Sequence, residues 1–202
     1  LLSIPDPEYK KLLFFYNPKT ICSHISRGIM AAGKGTDRIL PVLNFYNKFG
    51  STTYVNGHTS REVYETRKSH VNYVVADTES WEQIAAKTLE EIKSVETYVK
   101  NAFLGFAIPY VGADGKDQQY FPDFIARCRA KDKRMVNLII EVTGMNKDKA
   151  EKKWYLENRW LPAVNAVREK YGFDEWAFIE IANDIRGIKN QLIARIQEQV
   201  RP

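Results

Sequence analysis

Two hydrophobic periods run along this chain, and the points where one replaces the other mark its organisation. From Trp81 the residues Trp81, Ala85, Thr88, Ile92, Val95 and Val99 recur three or four positions apart, which is the stripe of an amphipathic helix. Ser80-x-x-Gln83 supplies a capping box at its start, so the pattern predicts a helix from Ser80 to about Asn101. Three strand-like runs follow. Phe106–Val111 closes on the turn Gly112-Ala-Asp-Gly115. Tyr120–Cys128 comes next, and Val136–Thr143 is reached across the charged connection Arg129–Arg134 and stopped by Gly144. Residues 148–160 return to helical spacing, with a break or kink at Pro162 and a continuation to Lys170. Trp176–Ile181 reads as a fourth strand. Asn190–Val200 reads as a terminal helix with Leu192, Ile193, Ile196 and Val200 on one side. The predicted order from residue 80 is α-β-β-β-α-β-α.

Residues 1–75 lack such periodicity. Leu12–Tyr16 and Ile39–Tyr46 are short apolar segments, and Gly50, Asn56-Gly57 and repeated Thr and Ser suggest short strands and turns. Val71–Ala76 reads as a strand ending at Asp77. The expected division is therefore an N-terminal extension or connector over 1–75 and a folded domain over 76–202, with no internal repeat.

Composition narrows the class. The 202 residues are 44% hydrophobic and include 4 Trp, 11 Tyr and 10 Phe, a globular make-up and not that of a disordered tail or a fibre. The longest apolar stretches, Leu12–Tyr16 and Leu138–Val142, fall far short of the ~20 residues of a membrane helix. The opening Leu-Leu-Ser-Ile-Pro lacks the signal-peptide pattern and has no Met, which predicts a processed chain or a fragment. Cys22 and Cys128 share no metal-ligand spacing and predict a reducing, cytoplasmic setting. The net charge of +5 is uneven: residues 1–75 hold 10 Lys and Arg against 5 Asp and Glu, and the rest holds 20 against 20. The global balance alone does not establish nucleic-acid binding.

The informative chemistry lies in the strands. Asp123 sits within the apolar run Tyr120–Cys128, and Glu141 within Leu138–Val142; a carboxylate there is costly without compensation. Strand alternation places Asp123, Ile125 and Arg127 on one face, and Ile139, Glu141 and Thr143 on one face of the next strand. In a hairpin register the two acids converge into an oxygen-rich site suited to Mg²⁺. The competing explanation is that each acid pairs with a nearby Arg or Lys at a strand end.

Pro122-Asp123, then 17 residues, then Glu141-Val142-Thr143 resembles the PD-(D/E)XK nuclease superfamily. The wider text is similar to the C-terminal part of type III restriction endonuclease Res subunits. Its carriers are Ser69–Thr78, Trp81-Glu82, Tyr98–Asn101, Gly105–Tyr110, Pro122–Arg127, Glu141–Gly144, Trp160–Asn165 and Trp176–Glu180, and the resemblance as a whole covers about residues 36–182. The resemblance implies an α/β fold with a restriction-endonuclease-like αβββαβ core, a mixed central sheet flanked by helices, and an N-terminal extension. It also implies an endonuclease acting on double-stranded DNA and leaving 5′-phosphate ends. The expected partners are a helicase-like ATP-driven motor outside this chain and a methyltransferase subunit that recognises the sequence. The expected cofactor is Mg²⁺, with Mn²⁺ as a substitute and ATP used only through the motor.

By the same resemblance Asp123 and Glu141 hold the metal, with Glu82 of the first helix as an assisting acid. Glu82 equally fits an exposed first-turn Glu favoured by the helix dipole. The superfamily places Lys two residues after the Glu, where this chain has Thr143. The Res branch instead tends to read Glu-Val-Thr-Gly before a lysine-rich helix, here Lys147, Lys149, Lys152 and Lys153. Lys149 and Lys152 are the expected catalytic substitutes, and Arg127, Lys147 and Lys153 the expected DNA contacts. Thr143 motivates the alternative, a catalytically inactive nuclease fold used for DNA binding or subunit docking.

Other features carry less. Arg129, Lys131, Lys133 and Arg134 could grip a DNA backbone, although a solvated loop is the commoner reason for such a run. Gly28-x-x-x-x-Gly33-Lys34-Gly35 lacks the Ser or Thr of a P-loop and has no clear preceding strand. His24, His58 and His70 have no ligand spacing, and Trp154, Trp160 and Trp176 read as core residues.

Overall fold

The computed structural model describes residues 11, 18–22, 25, 50–75, 81–112, 116–143, 149–182 and 187–199, with side chains except at Val111, Thr143, Lys149, Ala150, Glu151 and Ala182. Leu12–Tyr16, Ile39–Tyr46, the Gly28–Gly35 loop, His24, Ser80, Gly144, Lys147 and Val200 lie outside the described residues. The elements are β1 (Val63–Glu65), β2 (Tyr73–Val75), α1 (Trp81–Glu91), β3 (Val95–Lys100), β4 (Ile108–Val111), β5 (Asp117–Tyr120), β6 (Phe124–Arg129) and β7 (Met135–Thr143). Then come α2 (Lys149–Tyr155), a π turn (Leu156–Trp160), α3 (Leu161–Ala166), α4 (Arg168–Tyr171), β8 (Glu175–Ala182) and α5 (Ile188–Gln199).

This is an α/β architecture around a mixed four-stranded sheet of order β3-β6-β7-β8. β3, β6 and β7 are antiparallel neighbours, and β8 runs parallel to β7. Alternation along the strands creates two apolar faces. On one, Phe124, Ala126, Cys128, Val136, Leu138 and Ile140 pack under Ala85, Ala86 and Leu89 of α1 and Ile188, Leu192 and Ile196 of α5. On the other, Ile139 and Phe178 pack under the β4–β5 hairpin and the helical stretch from Tyr155 to Leu161. There Trp176 stacks on Phe106 and meets Trp160 edge-on at 5.4 Å. No described helix is long and apolar enough to cross a membrane.

Three expectations are corrected. The helix beginning near Trp81 ends at Glu91, and Val95–Lys100 is a strand. A β-bulge between Val95 and Thr97 keeps Val95 and Tyr98 on the α1 side and turns Val99 to the other, so two-residue alternation does not mark the boundary. The β-branched Val95, Thr97 and Val99 favour extended backbone, and pairing with β6 decides the outcome. The first strand of the central sheet is therefore β3. The predicted Phe106–Val111 strand survives as β4 in a separate two-stranded sheet with β5. Tyr120–Cys128 is two strands, because Pro122 offers no N–H to a ladder and the chain passes from hairpin to sheet across Phe121–Asp123.

The second helical region also differs. Pro162 stands at the start of α3, directly after the π turn, so the helix is interrupted ahead of the proline. α4 ends at Gly172, whose φ of 71° suits a residue without Cβ. Asn165 then fastens α3 to β8, its amide donating to the Trp176 carbonyl and accepting from the Trp176 N–H, both at 2.8 Å. Trp160 and Trp176 are partly buried, but Trp154 is 42% exposed, with the Arg159 guanidinium near its ring. Trp154 is thus a surface residue, not a core one.

Residues 66–75 are stitched to the sheet domain. The amides of Arg67 and Lys68 donate to the Glu90 carboxylate at 3.1 and 3.2 Å, and Lys68 Nζ donates to the Ile92 carbonyl at 2.7 Å beyond the end of α1. The backbones of Lys68, His70 and Tyr98 are joined by two further bonds of 3.1 Å. Val74 of β2 enters the core beside α1.

Candidate functional site

The β6–β7 ladder pairs Phe124 with Ile140, and one step further along the same register lies Asp123 opposite Glu141. Asp123 precedes β6 and is not a member of it. Its carboxylate accepts the Val142 N–H at 2.7 Å, so it is pinned to β7 one residue from Glu141.

Glu141 projects on the hairpin side of the sheet, as Ile139 does. There Tyr120, the last residue of β5, donates its hydroxyl to Glu141 Oε2 at 2.7 Å. The Tyr120 side chain is only 6% exposed. Burial pushes its phenol well above the ordinary value, and the negative charges of Glu141, Asp123 and Glu180 push it further the same way. Of the three carboxylates whose charge acts on this phenol, Glu141 is the one hydrogen-bonded to it.

Glu180 is the third. In the parallel β7–β8 ladder it stands directly opposite Glu141, an arrangement of like charges that destabilises a sheet unless compensated. Compensation comes from α2, where Lys153 Nζ lies 2.9 Å from Glu180 Oε2. Tyr120, Glu141, Lys152, Lys153, Phe178 and Glu180 line one shallow cleft.

The other expected residues are placed as follows. Lys149 opens α2, but its side chain, like all of Lys147, lies outside the described residues. Lys152 and Lys153 both reach the cleft. Glu82 forms an ion pair with Lys100, whose Nζ also donates to the Val75 carbonyl at 2.7 Å. That pair belongs to the α1 face of the sheet, opposite the face that carries Glu141. Arg127 pairs with Asp174 at 2.7 Å, and its ladder partner is Asn137, four positions along β7 from Glu141. In the Arg129–Arg134 connection, Arg129 pairs with Glu96 at 2.6 Å, and Arg134 with Asp132 and Glu175. Lys131 and Lys133 are exposed.

Among the described residues, no three His, Cys, Asp or Glu side chains come together as a metal-holding group. The two-carboxylate donor set still fits Mg²⁺, which is commonly held by one or two carboxylates and completes its shell with water and substrate phosphate. Sequence reasoning passed over Tyr120 and Glu180. Glu180 carried the same signal as Glu141, an acid within an apolar strand, whereas nothing in the chain text marked Tyr120 as its partner. No family model, curated protein or solved structure matches this chain.

Proposed function

We propose that this chain carries a Mg²⁺-dependent DNA endonuclease domain of the type III restriction kind, built on a restriction-endonuclease-like core. The observation that carries the reading is the placement of Asp123, bonded to the backbone next to Glu141 from the neighbouring strand. The succession α1-β3-β6-β7-α2-β8, with β7 and β8 parallel, supports it, since it has the αβββαβ order that the resemblance implies. Double-stranded DNA would be the substrate, with the motor and the sequence-reading methyltransferase as partners.

Asp123 and Glu141 would hold the cation, which when bound supplies an activated water and charge stabilisation at the phosphate. The chain's own groups do the rest. The Val142 N–H orients the Asp123 carboxylate. Tyr120 orients Glu141, and its raised phenol keeps the donated proton in place at neutral pH. Lys152 and Lys153 bring positive charge to the cleft, where a DNA phosphate needs neutralising.

A second reading is a nuclease fold that binds DNA or a subunit without cutting. It is favoured by Thr143 at the usual lysine position and by the engagement of both acids with protein donors. Nicking of supercoiled plasmid separates the two, together with calorimetric Mn²⁺ titration of the same protein. The nuclease reading expects Mg²⁺-dependent nicking that Asp123→Asn and Glu141→Gln abolish, with Mn²⁺ binding weakened in both. Unchanged nicking in both variants, or no metal binding by the unmodified chain, would overturn it.

A further inference from the structure

Glu180 poses a physical question that the two-carboxylate site leaves unanswered. It stands opposite Glu141 on the same face of adjacent strands, where repulsion between like charges works against the sheet. The position two residues earlier on that face is Phe178, and an apolar residue at 180 would continue the same packing without electrostatic cost. What Glu180 gains is Lys153. Their 2.9 Å ion pair joins β8 to α2 across the cleft that Glu141 and Tyr120 line. The two partners are unequally sheltered: the Glu180 side chain is 21% exposed and that of Lys153 is 44% exposed. The acid is the anchor within the wall, and the amine is the end presented to an incoming ligand.

We infer that Glu180 is a positioning residue that holds the Lys153 amine beside Glu141, and that Lys153 is the catalytic lysine absent from position 143. This rests on the nuclease reading above and deepens it. The lysine arrives from α2 and not from β7, so its amine needs a fixed point on the sheet, and Glu180 is the ladder partner of Glu141 itself. An ion pair at a partly exposed site contributes little to stability by itself. In the reaction the water oxygen forms a new bond to phosphorus and the bond from phosphorus to the 3′ oxygen breaks. The 5′-phosphate stays on one product. The water proton passes to solvent, and the departing 3′ oxygen takes a proton from solvent. Lys153 keeps its proton throughout and offsets the charge growing on a non-bridging phosphate oxygen.

The test is single-turnover plasmid cleavage by the full chain, comparing Glu180→Gln, Glu180→Asp, Lys153→Met, the double variant Glu180→Gln/Lys153→Met, and Asp123→Asn. Glu180→Gln and Lys153→Met should each lower the cleavage rate by roughly 10–100-fold, the range for losing an outer partner of a reacting group. The half-saturating DNA concentration should change far less than the rate. The double variant should be no slower than Lys153→Met, and Glu180→Asp should recover part of the loss. A readout independent of cleavage is the acetylation rate of Lys153, followed by mass spectrometry without metal or DNA. It should rise relative to Lys131 when Glu180 becomes Gln. Independent, multiplying losses in the double variant, a wild-type rate in Glu180→Gln, or an unchanged acetylation rate each overturn the positioning role. If Asp123→Asn cleaves like the unmodified chain, the nuclease reading itself falls and the role of Lys153 goes with it. If Asp123→Asn is inactive while Glu180→Gln is unaffected, only the present inference falls.

Discussion

Removing the Asp123 side chain should cost stability as well as any metal. Its carboxylate accepts the Val142 N–H at 2.7 Å, and Val142 is only 8% exposed. In Asp123→Ala that N–H loses its charged acceptor in a place where water has little access. A hydrogen bond to a charged group is worth ~1.5–3 kcal/mol, and an unpaired buried donor costs ~1–3 kcal/mol. These are two views of one loss, so about 2 kcal/mol is expected, or roughly 4–8 °C in Tm for a chain of this size. Asp123→Asn keeps an acceptor oxygen at the same reach, and should lose less than ~1 kcal/mol while removing the charge. Urea unfolding followed by tryptophan fluorescence at pH 7 measures both. Asp123→Ala within ~0.5 kcal/mol of the unmodified chain would refute a structural role for the bond. The order Ala well below Asn also makes Asn the substitution of choice for metal and cleavage assays, since an Ala variant could lose activity through loosening of the β6–β7 junction.

Tyr120→Phe keeps the ring against Ile108, Ile139 and Leu156 and removes only the hydroxyl bonded to Glu141, so ~1–2 kcal/mol of destabilisation is expected in urea titrations at pH 7. The folded-state phenol is raised, so its contribution is fully present below the unfolded value of ~10 and is lost as pH climbs beyond it. The stability gap between the two proteins should therefore narrow between pH 9 and pH 10.5, and a constant gap would contradict the assignment. Cys128 lies within the sheet core, and burial pushes its thiol up to about 12, whereas Cys22 is exposed. A chromogenic disulfide reagent should therefore find one fast thiol in the native protein and a second only after unfolding. Two fast native thiols would show that the α1 face is open.

The parts legible in the chain text were those whose signal was local and continuous. β7 and β8 are apolar runs buried on both faces, and their predicted limits agree with the observed ones to about a residue. The α1–β3 boundary was hidden because a β-bulge between Val95 and Thr97 breaks the alternation that would have marked a strand, and pairing with β6 decides it. That Asp123 reaches the backbone of β7 beside Glu141 is in keeping with adjacent strands whose spacing sets the register. Glu82 shows the limit of that approach. Its position in the first turn of α1 is plain from the chain, but the side of the sheet that α1 covers is set by tertiary packing, which carries it to Lys100. The Lys153–Glu180 pair was equally out of reach, since nothing along the chain links residues 27 apart.

The charges around the cleft constrain what can approach it. Glu141 accepts from Tyr120, Glu180 pairs with Lys153, and Lys152 lines the same cleft. A phosphodiester brought against carboxylates without a cation is repelled at close range, where screening is weakest. A fold that used this cleft only to dock DNA would be served better by amides or lysines at 141 and 180. A divalent cation reverses the local sign, turning two carboxylates from a repulsive feature into an attachment point for phosphate. Asp123 and Glu141, already held by protein donors, are thus placed where such a cation would serve phosphate binding and catalysis alike. That argument, more than the basic net charge of the chain, favours the catalytic reading over the inert one.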